Sequence, residues 1–148
     1  MPDLVEGVCV KRYVLLIFFL KRNKMKIYQV KIIKSNGFNP YYNPDDIEIR
    51  KEIYFSTIEK SQKHLSDLGF VLSPTLISCG DKVIRVCENL EEADSLLNKI
   101  KLATTLQNIF TIDSPFSKNT WVLPDSILNG NFSIYKGLYA FINEIEVL

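Results

Sequence analysis

Ile53-Tyr54-Phe55-Ser56-Thr57-Ile58-Glu59-Lys60 decides the fold, because a run of strand formers leads straight into a helix start. Ser56 and Glu59 have capping-box spacing: the hydroxyl is placed to accept from the Glu59 N–H, and the carboxylate to reach back. Beyond them, Ile58, Leu65 and Leu68 fall on one helical face with Ser61 beside them, while Lys60, Lys63 and Asp67 lie opposite. Gly69 stands where a left-handed C-terminal residue is wanted. The spacing predicts a helix near residues 57–68. The same unit returns at Arg85-Val86-Cys87-Glu88-Asn89-Leu90-Glu91-Glu92, where Asn89 and Glu92 repeat the cap spacing. Leu90, Ala93, Leu96, Leu97 and Ile100 then form the apolar stripe of a helix over 90–103, which Thr104-Thr105, weak helix formers, bring to an end.

Outward from these units the pattern is that of strands. Residues 26–34 alternate Tyr28, Val30 and Ile32 against Gln29, Lys31 and Ile33, and Asn36-Gly37 closes the strand. Residues 47–55 run into the first helix. Residues 70–72 and 75–79 read as one strand interrupted by Pro74, and the Gly80-Asp81 turn leads to a partner over 82–87. Short strands are expected at 109–112 and 120–123 on either side of a Ser-Pro loop. Residues 139–148 set Ile145 and Val147 against Glu144 and Glu146, which favours a final strand over the rival reading as helix. The fold class expected is α+β: a single domain, with a mixed or antiparallel sheet and two capped amphipathic helices packed on one face.

The chain's 148 residues suit one domain, and 47% hydrophobic with 24% charged residues is the balance of a chain that folds. The formal net charge of +1 gives no global attraction to nucleic acid or acidic membranes. Its distribution is uneven. Residues 1–26 hold six cations against two acids, a net +4, so the remainder carries −3 of the total +1. Residues 1–24 form a basic and apolar leader before a domain over 25–148. Its apolar run, 13–20, is bracketed by Lys11-Arg12 and Lys21-Arg22 and falls well short of the roughly 20 residues that span a membrane. Acids before the run and the lack of a small-residue cleavage site after it speak against a signal peptide. Three readings stay open: a buried or partner-paired strand, an upstream extension with Met25 as the natural start, and a basic membrane-surface anchor.

The opening Met25-Lys26-Ile27-Tyr28-Gln29-Val30 and the later Phe55-Ser56-Thr57-Ile58-Glu59-Lys60-Ser61 resemble a pattern of small, uncharacterised phage and mobile-element proteins. In that pattern a first strand with a Tyr-x-Val core precedes an FST-x-EKA helix start; here Ser61 replaces the alanine. The resemblance implies an α+β fold and a phage or mobile-element setting. Its motif residues are strand, cap and helix residues, so it assigns no catalytic role.

Candidate chemistry is sparse. Cys9, Cys79 and Cys87 form no CxxC pair, and with His64 as the single histidine a Cys/His zinc site is not expected. The turn register puts Cys79 opposite Lys82 and Cys87 opposite Pro74, so reduced thiols and a cytoplasmic location are expected. His64 reads as a boundary histidine on the first helix. Asp45-Asp46 after Pro44 is ordinary turn chemistry, and alternatively the start of a hard-metal site for a small nuclease or transferase. Glu88, Glu91 and Glu92 complement a helix dipole. No phosphate-binding loop is present, and no cofactor or metal is expected. The one segment that stands out is Asn36-Gly37-Phe38-Asn39-Pro40-Tyr41-Tyr42-Asn43-Pro44, with three aromatics and two prolines between strands. Phe38, Tyr41 and Tyr42 either fold back on the core or form a rigid aromatic platform for a partner. Stacking on single-stranded nucleic acid is disfavoured by the absence of interleaved basic residues. The expectation is a non-catalytic protein-binding or inhibitor protein, of the phage anti-defence or toxin-immunity type, that makes no membrane insertion.

Overall fold

The computed structural model describes residues 8–9, 26–37, 47–105 and 107–146, and every strand pairing within them is antiparallel. In chain order the elements are β1 (Val8–Cys9), β2 (Lys26–Ser35), β3 (Ile47–Phe55), α1 (Ile58–Asp67), β4 (Val71–Leu72), β5 (Thr75–Cys79), β6 (Lys82–Cys87), α2 (Leu90–Ala103), β7 (Ile109–Ile112), β8 (Trp121–Val122), the short α3 (Pro124–Ile127) and β9 (Gly137–Glu146). Six strands form one sheet in the order β1-β3-β2-β9-β8-β4, and three form a second in the order β6-β5-β7. The fold is α+β, as the alternation and cap spacing require.

Where one sheet was expected there are two, because residues 70–79 do not make one interrupted strand. The chain leaves the larger sheet after β4 and enters the smaller one at β5. The switch falls at Ser73-Pro74, where Ser73 takes a left-handed φ of 43° and its N–H donates to Thr120 O at 2.7 Å. Proline cannot donate to a ladder, so a break there costs no hydrogen bond.

Strand alternation then sorts the apolar residues into layers. Val30, Ile32, Ile53, Phe55, Trp121 and Ala140 point from one face of the larger sheet to Leu65 of α1 and to Phe70. Ile33, Val122 and Tyr139 point from the other face to Leu76 and Val83 of the smaller sheet. On the far side of the smaller sheet, Ile77, Cys87 and Ile109 pack with Ala93, Leu96, Leu97 and Ile100 of α2. The order of layers is therefore α1, larger sheet, smaller sheet, α2. Each helix covers one face of its own sheet.

The caps show how closely local spacing governs local structure. Asn89 Oδ1 accepts from Glu92 N at 2.8 Å, and Glu92 Oε2 accepts in return from Glu88 N at 3.1 Å. At α1 the cap is one residue later than the Ser56 expected: Thr57 Oγ1 accepts from Lys60 N at 3.2 Å. Ladder pairing holds Phe55 in β3 opposite Tyr28, and that leaves Thr57 as the last extended residue before the helix. Ser61, the departure from the alanine of the FST-x-EKA pattern, is fully buried and donates from Oγ to Ile58 O at 2.6 Å. Gly69 does adopt the left-handed conformation, with φ 95°.

One register expectation is corrected. Cys79 pairs with Lys82, but Cys87 faces Thr75 rather than Pro74, because a bulge between Ile77 and Ser78 shifts the ladder by one residue. Cys79 and Cys87 are free thiols, and burial pushes the Cys87 thiol above its usual range. The apolar run 13–20 and Met25 lie outside the described residues. No described helix is long and apolar enough to cross a membrane.

His64 sits at the edge of the α1 face, its ring 5.2 Å from that of Phe55 and its Nε2 buried without a hydrogen-bond partner. Burial lowers its pKa from the ordinary 6.5; Lys51 lowers it further, and Asp67 opposes. The unfolded chain thus takes up this proton more readily than the folded one. The stability associated with a neutral His64 is complete above about pH 6.5 and is lost as pH falls below it. Chemical denaturation should give a lower midpoint at pH 5.5 than at pH 7.5, and His64→Leu should flatten the difference. An unchanged slope in that variant would assign the pH dependence to other groups.

Candidate functional site

The described groups that stand together at a concave surface lie at one end of the larger sheet. There β2 runs out at Ser35, which pairs with Ile47 of β3 on one side and Gly137 of β9 on the other. A groove of about 590 Å³ opens at this end. Ile32 and Leu138, which project from the same sheet face as Val30, give it an apolar floor. Lys34, Arg50 and Lys136 supply three cations to its lining.

Each cation is placed by an identifiable feature of the backbone. Lys34 follows Ile32 on the same face of β2 and has Leu138 and Glu48 as its cross-strand neighbours. Arg50 is the extra residue of a bulge: Ile32 pairs with Lys51 and Ile33 with Ile49, so Arg50 has no opposite partner on β2. Lys136 immediately precedes β9, at the close approach of the α3 turn. Ser126 Oγ donates to Leu123 O at 2.6 Å and accepts from Leu138 N at 2.9 Å, which fixes that turn against the first residues of β9. Gly137 makes the approach possible, since a Cβ there would meet Ile127 Cγ2 at 2.6 Å and Ser126 Oγ at 3.0 Å.

The electrostatics of the two ends of β2 differ. At the far end Lys26 pairs with Glu144 at 3.3 Å, and Tyr28 Oη donates to the same carboxylate at 3.2 Å. The hydrogen bond to Glu144 and its charge raise the Lys26 pKa. At the groove end, the side chains of Lys34 and Lys136 make no ion pair or hydrogen bond with any described residue. Arg50 Nε lies 3.6 Å from Glu48 Oε1. Among the described residues three cations face one carboxylate, which gives this end of the sheet a local excess of positive charge among them.

The sequence-derived site residues Phe38, Tyr41 and Tyr42 lie outside the described residues, as do Asp45 and Asp46. The segment that holds them is anchored by β2 and β3, whose last and first residues, Ser35 and Ile47, pair at the groove end. Among the described residues no three His, Cys, Asp or Glu side chains converge on a possible metal position. Sequence reasoning missed the groove. Lys34 lies on β2, Arg50 on β3 and Lys136 just before β9, and only strand register and the β3 bulge bring them together. Compared with known proteins, the chain matches no family model, no curated protein and no solved structure.

Proposed function

We propose that this protein acts by binding another protein, without catalysis, and that its contact surface is the open end of the larger sheet. The observation that supports this reading most is the groove itself: an apolar floor ringed by Lys34, Lys136 and Arg50, of which only Arg50 has an ion-pair partner among the described residues, Glu48. Rigid β-strands carry it, and the segment with Phe38, Tyr41 and Tyr42 departs from the same strand ends. An apolar centre with a polar rim is the general anatomy of a protein interface, and tyrosine is enriched among its strongest contributors. Inhibition of a partner, of the phage anti-defence or toxin-immunity type, is the biological form proposed, with a cytoplasmic location. It draws on the Tyr-x-Val and FST-x-EK pattern of the first strand and helix.

Affinity capture with the full chain from extracts of its source cell and host, read by mass spectrometry, tests the reading. A single protein retained in stoichiometric amount is expected. Hydrogen exchange on that complex should then slow at 34–37, 47–50 and 136–138. Protection confined to α2 and β7 would place the contact elsewhere, and no retained protein would remove the reading.

A further inference from the structure

The binding-protein reading above leaves the chemistry of the partner open, and the groove narrows it. We infer that the groove takes an acidic protein segment, in which carboxylates meet Lys34, Arg50 and Lys136 and an apolar side chain between them lies on Ile32 and Leu138. This inference rests on that reading.

Three features argue for this occupant. The first is charge. The Lys34 and Lys136 side chains are unpaired among the described residues, and Arg50 Nε lies 3.6 Å from Glu48, longer than a hydrogen bond, so donors remain for a bidentate carboxylate. The second is the floor: Ile32 and Leu138 offer nothing to a small inorganic anion but suit an aliphatic side chain. Ser126, the one hydroxyl among the described lining residues, has already given its proton to Leu123 O and cannot donate to an anion. The third excludes nucleic acid as the favoured ligand. Glu48 beside Arg50 would repel a phosphodiester chain passing through the groove. A peptide with spaced carboxylates can place its charges around Glu48; a backbone with a charge on every residue cannot.

Fluorescence anisotropy on the full chain tests this with a fluorescein-labelled octapeptide of alternating Glu and Leu, its Gln-Leu counterpart, and a labelled oligothymidylate. The Glu-Leu peptide should bind, and more weakly as salt rises from about 50 to 300 mM. The Gln-Leu peptide should bind about tenfold less tightly, as should the Glu-Leu peptide to Lys34→Glu/Lys136→Glu. Because Lys34→Glu sets a carboxylate opposite Glu48, the neutral pair Lys34→Gln/Lys136→Gln provides a second variant; it should weaken binding by a smaller factor. A charge-matched control on α2, Lys99→Glu/Lys101→Glu, should leave binding unchanged. Equal binding of the two peptides, equal loss in the α2 control, tighter binding of the oligothymidylate, or no binding of the Glu-Leu peptide would each overturn the inference. In the capture experiment, a partner retained equally by the wild type and by Lys34→Gln/Lys136→Gln removes the groove from the contact but leaves the binding-protein reading intact. No partner retained by the wild type removes the reading itself.

Discussion

Replacing Tyr139 with alanine should cost about 3–5 kcal/mol of stability, on the scale of other large aromatic truncations in cores. Tyr139 is 1% exposed and stands in β9, the central neighbour of β2. Its ring lies 5.9 Å from that of Phe116, in the cluster that joins Ile33 and Val122 of the larger sheet to Leu76 and Val83 of the smaller one. Truncation therefore opens a cavity between two sheets that cannot easily close, because each is held in place by its own ladder and its own helix. For a chain of this size the midpoint should fall on the order of 10 °C. Tyr139→Phe keeps the ring and should lose no more than about 2 kcal/mol. Leu102→Ala, at a position 89% exposed, should change stability by less than about 0.5 kcal/mol. If Tyr139→Ala melts within a degree or two of the wild type, the packing of one sheet on the other is not what holds the fold together.

How much of this was legible in the sequence follows from how local each feature is. The helix over 90–103, its Asn89 cap and the strands over 47–55, 75–79, 82–87 and 109–112 stand where their spacing puts them, because caps and period-two alternation act within a few residues. Leu65 and Ala93, read as buried, are buried completely. The apolar faces are narrower than the helical pattern suggests: Ile58 and Leu68 are 38% and 48% exposed, since α1 touches the larger sheet mainly through its middle. The second sheet was not legible. Whether residues on either side of Pro74 pair with the same strand depends on β8 and β7, which lie some 35 to 50 residues further along the chain. Bulges were equally hidden: the one between β5 and β6 moved Cys87 by a register position, and the one in β3 placed Arg50 in the groove lining. The candidate site divides along the same line. The aromatic residues Phe38, Tyr41 and Tyr42 are contiguous in sequence, conspicuous as such and outside the described residues, whereas the cationic groove is assembled by long-range pairing.

The double change Tyr41→Ala with Tyr42→Ala, read at once by partner capture and by thermal melting, tests the central claim most directly. If the open end of the larger sheet is a binding surface, these rings serve the partner and contribute little to the fold. Loss of an interface tyrosine that acts as a hot spot costs about 2 kcal/mol or more, so capture should weaken at least thirtyfold. The midpoint of unfolding should move by no more than about 2 °C, since surface substitutions away from core contacts stay within about 0.5 kcal/mol. The opposite pattern, a fall in melting temperature of the size expected for Tyr139→Ala with capture unchanged, would show that Tyr41 and Tyr42 belong to the core and would contradict the assignment of this end of the sheet as the contact surface.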